Sequence, residues 1–164
     1  MNKVAVLGDG ILGKELCKQN NFKCFSRRKR NFNIYEIESL SKIIVDHDII
    51  INCIANTNSY SQDFKSHWEV NYVFVKNLVV LINKHNKKLI HISTEFVYSM
   101  NSGNPSETDE PIPNLSFYSM SKLFADKYIV LNSNNYLICR SLHKKKDLVY
   151  DEVWDVMTTG DTVD

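Results

Sequence analysis

Short apolar runs alternate with amphipathic stretches across residues 3–140, and this alternation limits the fold more than any one motif does. "KVAVLG" (3–8), "FKCFS" (22–26), "DIIINCIA" (48–55), "KLIHIS" (88–93) and "YLICR" (136–140) have the length and composition of strands. Between them, "ILGKELCKQ" (11–19), "YEIESLSKII" (35–44), "HWEVNYVFVKNLVVLINKHN" (67–86) and "YSMSKLFADKYIVLN" (118–132) carry apolar residues at helical spacing. The unbroken apolar run at 48–55 suits a strand covered on both faces. Strands alternating with helices imply βαβ crossovers, hence an α/β, Rossmann-like doubly wound parallel sheet. Ligands of such sheets bind beyond the carboxyl ends of the strands, so the informative residues are those just after each apolar run.

A chain of 164 residues has room for one domain with a core. The division expected is a dinucleotide-binding domain over 1–142 and a short acidic tail over 143–164. A net charge of +1 gives no general reason to expect nucleic acid as a partner. No apolar run reaches the ~20 residues of a membrane span, and the N-terminal stretch does not read as a signal peptide. Cys17, Cys24, Cys53 and Cys139 form no CxxC, and the five histidines show no ligand spacing, so no metal site is expected. The cysteines read as free buried thiols of a cytoplasmic protein, and the histidines as surface or packing residues.

"LGDGILG" sets Gly8, Gly10 and Gly13 in G-x-G-x-x-G order directly after the first strand. The pattern alone is weak, but this context gives it a mechanism. Gly8 permits the tight turn, Gly10 lets a pyrophosphate approach the backbone, and Gly13 lets helix and strand pack closely. Ile11 and Leu12 open the helix whose N-terminus faces the phosphates. Beyond the second strand an NAD site usually carries a carboxylate for the ribose 2′-hydroxyl. Here the chain reads Ser26, Arg27, Arg28, which suits a 2′-phosphate, so NADP(H) is favoured over NAD(H).

"FYSMSK" (117–122) puts Tyr118 and Lys122 one helical turn apart. The bare spacing decides nothing, because Tyr72 and Lys76 share it. Tyr118, however, opens the helix that follows "HISTEF", whose Ser93 and Thr94 stand at a strand's carboxyl edge. A carbonyl reductase needs a proton donor for the growing alkoxide, and a lysine one turn away, together with a positive nicotinamide, is expected to lower the phenol's pKa for that work. A neighbouring hydroxyl can hold the substrate oxygen. Tyr72 lies inside an apolar helix and reads as a packing residue.

Together, "STEFVYSMNSGNPSETDEPIPNLSFYSMSKLFADKYI", "INCIANT" and "VNYVFVKNLV" resemble the extended short-chain dehydrogenase/reductase family, in particular its dTDP-4-dehydrorhamnose reductase branch. The resemblance covers roughly residues 1–142. It implies Tyr118 as proton donor, Lys122 as its modulator and a ribose ligand, and Thr94 as the group orienting the substrate oxygen. It also implies Ala55, Asn56 and Asn71 (at the start of the long helix) near the cofactor. Glu95 and Phe96 stand where that branch has Asp-Tyr at the substrate. The implied substrate is a nucleotide-linked 4-keto sugar, with dTDP-rhamnose biosynthesis as the setting.

Family members continue past the strand matching "YLICRSL" into a substrate domain, whereas this sequence ends after a tail with six acidic residues between Asp147 and Asp164. A full C-terminal substrate domain is therefore not expected, and "VYDEVWDVM" reads as one amphipathic helix or a mobile segment. A homodimer or a protein partner would then complete the pocket. The family also includes a reductase-like regulatory partner of methionine adenosyltransferase. A non-catalytic NADP-binding or regulatory subunit is thus a second reading, and a nucleotide-sugar epimerase or dehydratase a third.

Overall fold

Ala5, Val6 and Leu7 are fully buried on both sides of β1 (Val4–Leu7), which places this strand at the centre of the molecule. The computed structural model describes residues 2–141, so the tail expected over 143–164 and its helix lie outside the described residues. From β1 the chain passes through α1 (Ile11–Asn20), β2 (Lys23–Phe25), α2 (Ile37–Asp46) and β3 (Ile49–Asn52). A long helical segment follows, made of α3 (Phe64–His67), a wider π turn (Trp68–Val73) and α4 (Phe74–Lys84). Then come β4 (Lys88–Thr94), a 3-10 turn (Glu95–Tyr98), α5 (Phe117–Asn132) and β5 (Tyr136–Ser141).

The five strands form one parallel sheet in the order β2-β1-β3-β4-β5. This is the doubly wound α/β arrangement, and the strand order reverses between β1 and β3. The carboxyl ends of those two strands flank the crevice in which such folds bind ligands. The strands are short, so their stability comes from burial against helices. Leu40, Ile43 and Ile44 of α2 and Val75, Leu78, Val79 and Ile82 of α4 pack with Ile50 and Leu89 in the core.

The long helix differs from its sequence expectation. It begins at Phe64, where the Asp63 carboxylate caps it by accepting from the Ser66 N–H at 3.0 Å. Asn71 therefore lies inside the π turn and not at the helix start. One extra residue per turn is a local departure that needs side-chain support. Here the support is the Asn71 amide, which bridges to the loop after β3.

Candidate functional site

Gly8 has a φ of 99°, and a Cβ there would meet the Cys53 carbonyl carbon at 3.1 Å. Its N–H donates to the Phe25 carbonyl at 2.8 Å, which ties the turn to β2. A Cβ on Gly13 would fall on the Gly8 carbonyl oxygen, so helix and turn touch through backbone alone. Gly10 is different: the space where its Cβ would stand is open. It caps α1 with no side-chain hydrogen bond and no acidic residue in the first turn, leaving backbone N–H groups for an anion. Ile11 (76% exposed) and Leu12 stand beside that opening. Gly8 and Gly13 thus have the backbone geometry their spacing implied. Gly13→Ala is expected to destabilise the fold by about 1–3 kcal/mol, read as a lower Tm, because the backbone must separate to admit one methyl.

At the end of β2 the three residues of the expected 2′-phosphate site separate. Ser26 is buried, its N–H donating to Asn31 Oδ1 at 2.9 Å and its hydroxyl oxygen accepting from the Lys29 N–H at 3.2 Å. Arg27 and Arg28 are exposed. Arg27 also lines an open groove of about 370 Å³ with Arg30, Asn31 and Glu36. Ser26 shapes the loop, and the guanidinium groups are the part free to meet a ligand.

Ala55 and Asn56 lie in the loop after β3. The Asn56 N–H donates to Asn71 Oδ1 at 2.7 Å, while Asn71 Nδ2 donates to the Asn56 carbonyl at 3.1 Å and to Ser121 Oγ at 3.0 Å. Asn71 is fully buried and mimics a strand neighbour for this loop. Its amide is engaged in shaping the loop at Asn56.

Thr94 ends β4 and caps the 3-10 turn, accepting from the Phe96 N–H at 3.3 Å and donating to Glu95 Oε2 at 3.1 Å. The Thr94 side chain also acts on the Tyr118 phenol, working to lower its pKa. The Phe96 ring stands edge-on to Tyr118 at 6.0 Å. Ser116 caps α5 through the Ser119 N–H at 3.2 Å, which fixes Tyr118 in the first turn. Burial pushes the Tyr118 phenol above its ordinary pKa, Thr94 opposes this, and the charges of Glu95 and Asp126 add to the rise. In the chain by itself desolvation sets the direction of the shift.

Lys122 is 1% exposed. Its Nζ donates to the Ile92 carbonyl at 2.7 Å and lies 3.2 Å from His91 Nε2, turned toward β4. Burial pulls it down to about 8, against Asp126 and Cys53, which raise it. Ser93, also expected at the substrate edge, is instead buried and donates to Asp126 Oδ2 at 2.9 Å. Arg140 Nε meets the same carboxylate oxygen at 3.1 Å and its Nη1 donates to the Tyr98 hydroxyl at 2.6 Å. Of the two hydroxyls at the edge, Thr94 is the one that acts on Tyr118.

Tyr72 packs among Trp68, Phe124 and Tyr128, as a structural residue would. Two histidines, read as surface or packing residues, stand at the site. His91 faces Lys122, and the His67 ring lies edge-on to Tyr118 at 6.2 Å. His91 was legible in principle: a strand residue two positions before Ser93 shares its face. His67 had no such signal, because the π turn sets its direction. Of the four free cysteines only Cys24 is buried; the other three are partly exposed. Among the described residues no helix is long and apolar enough to cross a membrane.

This geometry has counterparts in known proteins. The spore coat polysaccharide biosynthesis protein SpsK of Bacillus subtilis (strain 168) is 26% identical over 149 residues, 86% of this chain and 53% of that protein. A dTDP-4-dehydrorhamnose reductase from Bacillus anthracis in complex with NADP superposes with a TM-score of 0.75 at 24% identity, over 85% of this chain and 52% of that one. A UDP-glucuronic acid 4-epimerase from Bacillus cereus, in complex with UDP-glucuronic acid and NAD, does so with a TM-score of 0.69 at 26% identity, over 84% and 55%. The chain thus spans about half the length of the relatives it matches. Residues 2–143 match the model of the RmlD substrate binding domain, so the chain belongs to that family, within the extended short-chain dehydrogenase/reductase proteins.

Proposed function

We propose that the chain serves an NADPH-dependent reduction of a nucleotide-linked 4-keto sugar, with Tyr118 as proton donor. The observation that carries this reading is the placing of buried Tyr118, in the first turn of α5, at the carboxyl end of β4 where Thr94 stands, on the same sheet edge as the glycine turn. The turn suits a dinucleotide: α1 begins without a capping side chain, and the backbone at Gly10 is open. Gly8, Gly10, Ile11, Leu12 and Gly13 would hold the pyrophosphate, Arg27 and Arg28 a 2′-phosphate, and Ala55 and Asn56 the opposite side of the crevice. A bound reduced nicotinamide supplies the hydride.

The chain's own residues do the rest. Turned from Glu95 Oε2, to which it donates in this structure, the Thr94 hydroxyl would hold the carbonyl oxygen, and Tyr118 would give its proton to that oxygen as the alkoxide forms. Glu95 and Phe96 border the sugar side. Lys122 fixes the wall behind, with one N–H left for a ribose hydroxyl. The carbonyl carbon gains hydride, its oxygen gains the phenolic proton, and the phenolate left behind is reprotonated from solvent.

Fluorescence titration tests the cofactor half of the proposal. NADPH is expected to bind more tightly than NADH, and Arg27→Ala with Arg28→Ala is expected to erase about a tenfold preference, as befits an exposed charge-assisted contact. Equal affinities in the parent protein would overturn the NADPH assignment. The epimerase with NAD gives a second reading its specific support. Turnover of a UDP-hexuronic acid with no consumption of NADPH would select it. Tight NADPH binding without turnover of any nucleotide sugar would favour a regulatory subunit.

A further inference from the structure

Residues 27–30 read Arg-Arg-Lys-Arg, and the order alone leaves open which of the four face a ligand. The fold chooses among them with a turn. The Arg30 N–H donates to the Arg27 carbonyl at 3.0 Å, so these two residues end a β-turn whose corners are Arg28 and Lys29. The ends of such a turn lie within about 7 Å of each other at Cα. Its base is pinned three times. Asn31 Oδ1 accepts from the Ser26 N–H at 2.9 Å and Asn31 Nδ2 donates to the Cys24 carbonyl at 3.1 Å. Ser26 Oγ accepts from the Lys29 N–H at 3.2 Å. Arg27 and Arg30 together line the groove of about 370 Å³ beyond β2, whereas Arg28 and Lys29 do not. The groove adjoins the glycine turn, because the Gly8 N–H is bonded to the Phe25 carbonyl at the end of β2.

The backbone supplies a second observation. Arg30 has a φ of 54°, in the left-handed region. Among the described residues the other non-glycine positions held there are Asn21 and Asn86, and asparagine is a side chain that tolerates this conformation. Arginine has no short polar group to offset the strain locally, and strain of this kind persists where the surroundings or a ligand site hold it. We propose that Arg30 is a specificity-determining residue for the dinucleotide: with Arg27 it clamps the ribose 2′-phosphate, while Arg28 stays in solvent at the corner of the turn. Two planar guanidinium groups brought together by the turn suit the oxygens of one phosphate dianion. Glu36 is the one carboxylate lining the groove, so two cations face a single anion there. Its Oε1 already accepts from Asn33 Nδ2 at 3.3 Å, which turns part of that charge to another partner. Asn31 and Ser39 add neutral polar groups to the lining.

The inference rests on the NADPH reading and moves one of its two arms from Arg28 to Arg30. The loss expected in the Arg27→Ala, Arg28→Ala protein then comes from Arg27. Calorimetric titration with 2′-phospho-ADP-ribose and with ADP-ribose tests it, since these probes differ only in that phosphate and carry no nicotinamide. The parent protein is expected to favour the phosphorylated probe about tenfold. Arg30→Asn is expected to cut this preference about threefold to fivefold, the range of one exposed charge contact, and Arg28→Ala to change it by less than about twofold. Asparagine suits the left-handed backbone, so Arg30→Asn is expected to melt no lower than the parent. That separates loss of the contact from loss of the turn. An unchanged preference in Arg30→Asn, or an equal loss in Arg28→Ala, would overturn the inference and leave the NADPH reading in place. A lower Tm in Arg30→Asn would make Arg30 a residue that holds the turn, and would overturn it as well. Equal affinity of the parent for the two probes would remove both. A preference lost in Arg30→Asn, with no sugar reduction by the parent, would remove the reductase reading while leaving Arg30 at the 2′-phosphate.

Discussion

Tyr118→Phe is expected to lower kcat for dTDP-4-keto-sugar reduction by about 10²–10⁴-fold, the usual span for losing a positioned acid. The ring stays, and with it the edge contacts to His67 and Phe96, so the fold and the NADPH affinity are expected to change little. What disappears is the proton and the hydroxyl on which Thr94 acts. Thr94→Val is expected to weaken both kcat and the alignment of the 3-10 turn, because this hydroxyl also accepts the Phe96 N–H. Single-turnover kinetics with NADPH, beside a binding titration, separate the two effects. An unchanged kcat in Tyr118→Phe would remove Tyr118 from the proton-donor role.

Asp126→Ala is expected to cost about 3–5 kcal/mol in unfolding free energy, because it leaves the Arg140 guanidinium in a mostly buried place without its counter-charge. Denaturant titration measures it. The pair itself is not a large net gain. Burial raises the Asp126 pKa, outweighing the lowering by Arg140, Lys122 and Ser93, and its Oδ1 has no hydrogen-bond partner. A carboxyl with a raised folded pKa contributes stability that is full below its unfolded value of 3.8 and declines as pH rises through the folded value. The stability of the wild type relative to Asp126→Asn is therefore expected to fall with rising pH across that window. Replacing both partners, Asp126→Leu with Arg140→Met, is expected to recover part of the loss, since the guanidinium goes with its counter-charge while Lys122 and the Ser93 hydroxyl still lose theirs. If Asp126→Ala alone proves nearly neutral, water reaches Arg140 and the network is not closed.

The alternation of apolar runs and amphipathic stretches determined the strand and helix order, because burial on two faces of a parallel sheet demands unbroken apolar residues and the helices demand a 3.6-residue stripe. The glycine turn was equally legible. Gly8 needs a positive φ and Gly13 admits no Cβ, and both are local consequences of having no side chain. The Tyr118–Lys122 spacing was legible too, but not its electrostatics. Whether a phenol rises or falls in pKa depends on how much water is removed around it, and that is set by Phe96, His67 and Thr94 arriving from other elements. The same holds for Ser93 and Thr94. They are neighbours in sequence, yet strand alternation turns one toward Asp126 and leaves the other beside Tyr118. His91 and Asn52 are 39 residues apart, and only the pairing of β3 with β4 lines them up behind Lys122. Sequence determined what is periodic or backbone-bound, whereas tertiary structure alone decided which buried polar groups face one another, because burial and strand pairing join residues far apart in the chain.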